Sequence, residues 1–221
     1  MIGFWGQVAV ISRTELTRER RAGEVLWVTI PFGAIAVLLV PIAIGTDAPM
    51  LRQIGPGLFW IVVMLFGVLV AVRRSSLDAP PVRDQLALAG LDPAAVYVGR
   101  SAAAFVLLLA FEAIVGVTAI LIYDLGRGLA LAPITLVLAG AGLALLGTLA
   151  ASIVSVGRNA TALVPLLVAP LSVPLLIGAT QAHEAFERGR SSLGWVLMMV
   201  VTTIILAIAG VLSAGPLQET G

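Results

Sequence analysis

The sequence predicts an all-α integral membrane protein with six transmembrane helices, an N-terminal amphipathic helix and a short cytoplasmic helix between spans 2 and 3. Of its 221 residues, 60% are apolar and only 11% are charged, against about 25% charged residues in a typical soluble domain. The mean hydropathy is +1.09. Thirteen basic and twelve acidic side chains cannot cover the surface of a soluble domain of this size. Soluble globular and disordered classes are therefore excluded.

Charge-free intervals define the spans, because a helix needs about 20 apolar residues to cross the hydrocarbon core. Backbone polar groups in lipid must be satisfied internally, which makes each interval a helix. We expect one transmembrane domain over 1–221, with an interfacial helix at 1–24, a six-helix bundle at 25–214 and a cytoplasmic tail at 215–221. The spans are expected near 25–45, 57–72, 97–123, 131–156, 160–181 and 192–214.

Arginine placement predicts that both termini are cytoplasmic. With this orientation, the cytoplasmic side carries Arg13, Arg18, Arg20, Arg21, Arg73, Arg74, Arg83, Arg100 and Arg158. The outer side carries Arg52, Arg127, Arg188 and Arg190. This excess on one side follows the positive-inside rule.

Residues 4–21 predict an amphipathic helix ahead of the first span. Phe4, Val8 and Ile11 recur at helical spacing, and arginines lie on the opposite side. Glu15 interrupts the apolar stripe. Two interpretations stay open: an interfacial helix, or a basic flank that only sets topology.

The longest polar stretch, between spans 2 and 3, carries signals for a short separate helix. Pro80-Pro81 stops the preceding helix and opens another, which Gly90 can end. Asp92-Pro93 then reads as the N-cap and first residue of span 3. The predicted helix at 82–89 bears Arg83, Asp84, Gln85, Leu86 and Leu88. A capped cytoplasmic helix fits docking to a partner, while a helix lying on the membrane surface is the alternative.

The sequence lacks the residues that several function classes need. Cysteine is absent, and all thirteen basic residues are arginine. Without lysine the chain cannot carry a P-loop, so nucleotide hydrolysis would require another subunit. A net charge of +1 gives no basic field for nucleic acid. An intramembrane enzyme is disfavoured, since no metal motif, nucleophile–base pair or carboxylate pair lies at membrane depth.

Three features inside the spans are candidates for structure or function. Glu112 lies near the centre of span 3, where a charged carboxylate costs about 2.5–3.5 kcal/mol. We expect it to be protonated or to face a partner or a cavity, in a structural hydrogen bond or a transport role. Small residues at i+4 spacing in span 4, such as Gly140 and Ala144, predict close packing at the bundle centre or across a dimer. Pro165, Pro170 and Pro174 predict that span 5 is kinked or interrupted.

Several segments together resemble a known family. They are Glu15-Leu16 before a basic run, Pro41–Gly45, Gly55-Pro56-Gly57-Leu-Phe-Trp60, the loop from Arg83 to Pro93, Val156-Gly157-Arg158, and the triple-proline segment Leu163–Pro174. In order and spacing they resemble the CcmB family, the membrane subunit of the haem-export ABC transporter of c-type cytochrome maturation. The Pro-Gly-x-x-Trp element and the triple-proline span are the most specific parts.

The resemblance implies a permease subunit in the bacterial inner membrane without its own ATPase. It implies a CcmA-type ATP-binding subunit, CcmC- and CcmD-type haem-handling partners, and a homodimer within the complex. ATP hydrolysis would drive haem export or release of a haem-loaded chaperone. No cofactor is expected to be tightly bound, and haem would be a substrate. Two departures stand out: the acid-poor Ala79-Pro80-Pro81, and Glu112 where an apolar residue is expected.

His183, the single histidine, is expected in an outer loop after span 5, as a solvated residue or an axial ligand of haem iron. Two other function classes stay open. One is a secondary transporter or channel that uses Glu112, and the other is an assembly scaffold that transports nothing.

Overall fold

The computed structural model describes residues 2–23, 25–45, 48–77, 90–123, 126–154 and 160–219, and these residues form seven α-helices. A single π-helical turn, Val25–Thr29, leads into the second helix, and a 3₁₀ helix, Gly126–Leu131, precedes the fifth. The α-helices are α1 (Phe4–Ala22), α2 (Ile30–Ile44), α3 (Ala48–Leu77), α4 (Pro93–Tyr123), α5 (Ala132–Val154), α6 (Ala160–Glu187) and α7 (Leu193–Glu219).

Five of these helices are long and apolar enough to cross a membrane, which confirms most of the predicted spans. They cover Pro49–Arg73, Pro93–Tyr123, Leu129–Val154, Leu163–Glu187 and Leu193–Gly215. A sixth is reached if α1 and α2 count as one bent span, since they meet at 53°. The described part of the chain is therefore an all-α protein with five or six possible spans.

The helices extend beyond the apolar intervals that predicted them. α3 begins at Ala48 and includes Pro56, although position 57 was expected to open the span. α7 continues to Glu219, through most of the tail expected at 215–221. Helical hydrogen bonds do not depend on hydropathy, so a helix ends where its backbone bonding ends. The N-cap of α4 is as predicted, because the Ala94 N–H donates to the Asp92 carboxylate at 2.9 Å.

α5 lies at the centre of the bundle, as its small residues predict. It packs against α3, α4, α6 and α7. A Cβ added to Gly142 would lie 2.5 Å from Leu175, and one added to Gly147 would lie 3.1 Å from Ala71. The glycines therefore allow neighbouring helices to approach closely, which replaces the hydrophobic driving force that lipid cannot supply.

Aromatic rings of α4 pack against glycines of three other helices. Phe111 packs on Gly33 of α2, where an added Cβ would lie 2.5 Å from the ring. Tyr123 packs on Gly55 of α3 in the same way, at 2.6 Å. Tyr97 packs directly on Gly210 of α7, and its hydroxyl lies 3.3 Å from the Leu206 carbonyl oxygen of that helix. Each contact holds the partner helix at one register along α4.

α1 contacts both helices that flank the loop between α3 and α4. The Glu19 carboxylate lies 3.3 Å from the Arg73 guanidinium near the end of α3. The Asp92 N–H donates to the Gln7 side-chain oxygen at 2.9 Å, just before α4. We call this side of the bundle the α1 end. Residues 78–89 lie outside the described residues, and with them the predicted helix and its Arg83, Asp84, Gln85, Leu86 and Leu88.

Candidate functional site

A pocket of about 110 Å³ lies between α3, α4, α5, α6 and the 3₁₀ helix, in the half of the bundle away from α1. We call it the Glu112 pocket. It combines residues from the starts of α3 and α5 with residues from the last turns of α6. Its described lining is Pro56, Phe59, Trp60, Glu112, Ala113, Gly116, Val117, Ile120, Leu129, Ala132, Thr135, Leu136, Ala179 and His183. Apolar pockets with a few convergent polar groups are typical of ligand sites.

Glu112 provides the most polar group of the pocket and is fully buried. Neither of its carboxyl oxygens has a hydrogen-bond partner among the described residues. Gly140 of α5 lies beside it, where an added Cβ would stand 3.1 Å from Oε2. A larger residue at position 140 would crowd the carboxyl group, so the small residues of α5 also make room for Glu112. Among the predicted alternatives, the structure places Glu112 at a cavity.

Two other polar side chains line the pocket. The Thr135 hydroxyl lies 3.1 Å from the Leu131 carbonyl oxygen and 3.2 Å from that of Ala132, so its proton is committed to its own helix. His183 is half-buried. Glu112 and His183, with the indole N–H of Trp60 and the acceptor lone pairs of Thr135, are the hydrogen-bonding side chains of the described lining.

The position of His183 differs from the loop expected from sequence. α6 runs six residues beyond the predicted end of span 5, to Glu187, and His183 lies in its penultimate turn. The helix turns the side chain into the bundle, where it lines the same pocket as Glu112. The two residues are 71 positions apart in the sequence, and the packing of both α4 and α6 against α5 brings them together.

The pocket has an apolar mouth. Val117 of α4 and Leu129 of the 3₁₀ helix line it and are 58% and 38% exposed. Ala113, one turn before Val117, is exposed as well. In a membrane, exposed apolar side chains on a spanning helix face lipid, so the mouth opens sideways toward the bilayer.

The three prolines of span 5 lie outside the described lining of the Glu112 pocket. Pro165, Pro170 and Pro174 are inside α6, which continues through them without an interruption. Of the two predicted alternatives, the kink stays a prediction. Each proline removes one backbone N–H donor, but the remaining backbone hydrogen bonds keep the segment helical. None of the three is among the described residues that line the Glu112 pocket.

Sequence reasoning missed that the Pro-Gly-x-x-Trp element belongs to this site. Pro56 and Trp60 lie one turn apart on α3 and both line the pocket. Trp60 is almost fully buried and packs edge-on against Phe59, with ring centroids 5.0 Å apart. The spacing of four residues was the available signal, because it places two side chains on one face of a helix. Among the described residues there is no group of three or more His, Asp or Glu that could hold a metal ion.

The matches to known proteins extend over nearly the whole chain. The family model described as CcmB protein matches residues 7–216. A protein of Paracoccus denitrificans (strain Pd 1222), named Heme exporter protein B, is 28% identical over 207 residues. That alignment covers 92% of this chain and 95% of the relative. The matched segment includes every helix that lines the Glu112 pocket, and the chain belongs to the CcmB protein family.

Proposed function

We propose that this chain is the membrane subunit of an ABC transporter that serves haem export in cytochrome c biogenesis. The observation that carries the proposal is the family match over residues 7–216, together with the similarity to a relative named Heme exporter protein B. The multi-pass helical bundle is the structure that a membrane subunit needs. In this proposal, ATP hydrolysis drives haem export or the release of a haem-loaded chaperone.

A separate subunit supplies the ATPase in this proposal, and the chain itself is not an enzyme. Its sequence has no lysine for a P-loop. A CcmA-type subunit would dock on the loop between α3 and α4, through Arg83, Asp84, Gln85, Leu86 and Leu88. The contacts of α1 with Arg73 and Asp92 support this role for the loop, because they tie both of its flanks to one helix.

The topology we propose has six spans with both termini in the cytoplasm of a bacterial cell, in the inner membrane. Glu19 of α1 pairs with Arg73 near the end of α3, so α1 and the end of α3 lie on the same side. α3 crosses the bilayer once, and the segment 25–44 must then cross before it. The arginine excess favours the cytoplasm for the α1 end.

CcmC- and CcmD-type proteins complete the proposed complex and handle haem beside this subunit. A homodimer follows from the pairing of ATPase subunits, since each subunit needs its own docking loop. Haem is the substrate of the complex rather than a resident cofactor of this chain.

Purification from native membranes tests the proposal. The tagged protein is extracted in mild detergent, co-purifying chains are identified by mass spectrometry, and ATP hydrolysis is assayed. We expect a stoichiometric ATP-binding subunit with activity, accompanied by haem-handling proteins. A preparation with neither, after gentle crosslinking, would overturn the proposal and favour a secondary transporter. Loss of transport in Glu112→Gln without any ATPase would then identify that carboxyl as its working group.

A further inference from the structure

The Glu112 pocket has a ligand requirement that haem export does not explain. Pockets that hold drug-sized molecules have volumes of at least a few hundred Å³, and a porphyrin macrocycle needs a site of at least that size. The Glu112 pocket measures about 110 Å³. An engineered apolar cavity of about 150 Å³ binds benzene. The enclosed part of the pocket therefore admits a group about the size of one six-membered ring, and any larger body of a ligand would extend through the mouth.

The mouth defines where such a ligand comes from. Val117 and Leu129 are exposed beside the opening, and both are apolar. Glu112 lies 11 residues before the end of α4, which is about 17 Å along the helix axis. A charged lipid headgroup does not reach that depth, so the ligand is a molecule dissolved in the hydrocarbon region.

The polar groups define what the ligand carries. No arginine is among the described lining residues, and His183 is the one described lining side chain that could carry a positive charge. Because a charge is costly at this depth, we take Glu112 and His183 in their neutral forms. A neutral carboxyl has one O–H donor and a carbonyl acceptor. One hydroxyl can satisfy both, by donating to the carbonyl oxygen and accepting from the O–H. An ammonium would need the charged form of Glu112.

We propose that the Glu112 pocket binds the ring-sized, hydroxyl-bearing head of an uncharged amphiphile that enters from the bilayer. The hydroxyl pairs with Glu112, and the head packs against Trp60. Two sources share this chemistry: a quinol, with a phenolic hydroxyl on one ring, and a protonated carboxylic acid on an apolar body. The proposal stands independently of the ATPase partner.

Quenching of Trp60 fluorescence measures binding directly. In the variant Trp5→Phe/Trp27→Phe/Trp195→Phe, Trp60 is the only tryptophan left. The protein in lipid nanodiscs is titrated with para-bromophenol and with para-bromoanisole, which lacks the hydroxyl. We expect saturable quenching by the phenol and about tenfold weaker quenching by the anisole, the ratio that one hydrogen bond contributes. A matched protein that keeps only Trp27, 81% exposed, should show linear quenching by both.

Three variants locate the binding. Glu112→Leu should abolish the preference for the phenol, while Glu112→Gln keeps an acceptor and a donor and should retain it. Gly116→Leu fills the pocket and should remove saturable quenching by both compounds. The first side-chain atom fits at position 116, where an added Cβ would stand 3.8 Å from Phe59. Linear quenching of Trp60, or equal quenching by phenol and anisole, would overturn the proposal.

Competition identifies the source of the hydroxyl. Displacement of para-bromophenol by a decyl hydroquinone assigns the site to a quinol. Displacement by decanoic acid at low pH assigns it to a carboxylic acid. Failure of both to compete would overturn the proposal that the pocket takes a ligand from the bilayer.

Discussion

The Tyr123 hydroxyl of α4 donates a 2.7 Å hydrogen bond to the Val37 carbonyl oxygen of α2. Val37 lies four residues before Pro41, which has no N–H to bond that carbonyl within the helix. A side chain from a neighbouring helix thus replaces the missing donor. Because Pro41 leaves the Val37 carbonyl free within the helix, α2 can form this hydrogen bond with α4. Tyr123 and Val37 are 86 positions apart in the sequence.

This relationship predicts a coupling between Tyr123 and Pro41. Tyr123→Phe should lower the free energy of unfolding by about 0.6–1.7 kcal/mol, the range for interhelical hydrogen bonds in membranes. In a Pro41→Ala background the helix regains its own donor, so the same substitution should cost less. Denaturant unfolding of the four proteins in detergent checks this, and equal costs in both backgrounds would contradict it.

A second prediction concerns the attachment of α1. Glu15 lies 3.9 Å from Arg100 of α4, and both side chains are mostly buried. A double-mutant cycle with Glu15→Gln and Arg100→Gln should give a coupling of about 1 kcal/mol in thermal unfolding, the upper range for ion pairs near a surface. Arg18→Gln is the matched control, because Arg18 also pairs with Glu15 but is 70% exposed. A larger coupling for Arg18 would count against this assignment.

Gly210 should be intolerant of any side chain. Tyr97 occupies the space that a Cβ would need, so Gly210→Ala should destabilise the protein by about 1–3 kcal/mol through overpacking. Gly194→Ala in the same helix meets no atom within 4 Å and should be neutral or stabilising. Melting temperatures in detergent compare the two. Equal melting temperatures would show that α7 does not rest on Tyr97.

Glu112 should lower the stability of the folded protein, although it provides a polar group to the pocket. Both of its oxygens are buried without a described partner, and such a group costs about 1–3 kcal/mol. Glu112→Leu should therefore raise the melting temperature, whereas Glu112→Ala leaves a cavity and should not. A lower melting temperature for Glu112→Leu would indicate that the carboxyl has a stabilising partner in the folded protein.

The proposed docking loop predicts a separable defect in coupling. Leu86→Asp together with Leu88→Asp should reduce ATPase stimulation in the purified complex by more than about tenfold, since a buried anchor contributes about 2 kcal/mol or more. The bundle itself should keep its melting temperature. Leu86→Met with Leu88→Met keeps the apolar surface and is the control. Normal turnover in the aspartate variant would reject docking through these two residues.

The spans, α1 and the cap of α4 could be predicted because each depends on neighbouring residues. Charge-free intervals, apolar periodicity and Asp92-Pro93 are local signals, and the structure follows them. Glu15 looked like a defect in an apolar stripe, because its partner Arg100 is 85 positions away. A pattern among neighbouring residues cannot predict a contact between two residues that are so far apart in the sequence.

The pocket could not be predicted for a related reason. Pro56, Glu112 and His183 come from three helices, and no spacing in the sequence relates them. The sequence predicts a loop at His183 because the charge-free interval of span 5 ends there, yet the helix continues to Glu187. Hydropathy reports where a helix can enter lipid, and a helix end is decided separately by its backbone bonds.

The contacts between α4 rings and glycines constrain how this sequence can change during evolution. In three pairs the glycine and the ring are complementary in size: Gly33 with Phe111, Gly55 with Tyr123, and Gly210 with Tyr97. An enlarged glycine position is tolerated only with a smaller ring position, so single substitutions at either member are selected against. Among relatives these positions should vary jointly, as three correlated column pairs that link α4 to α2, α3 and α7. An alignment of the family would then contain the helix arrangement as co-variation.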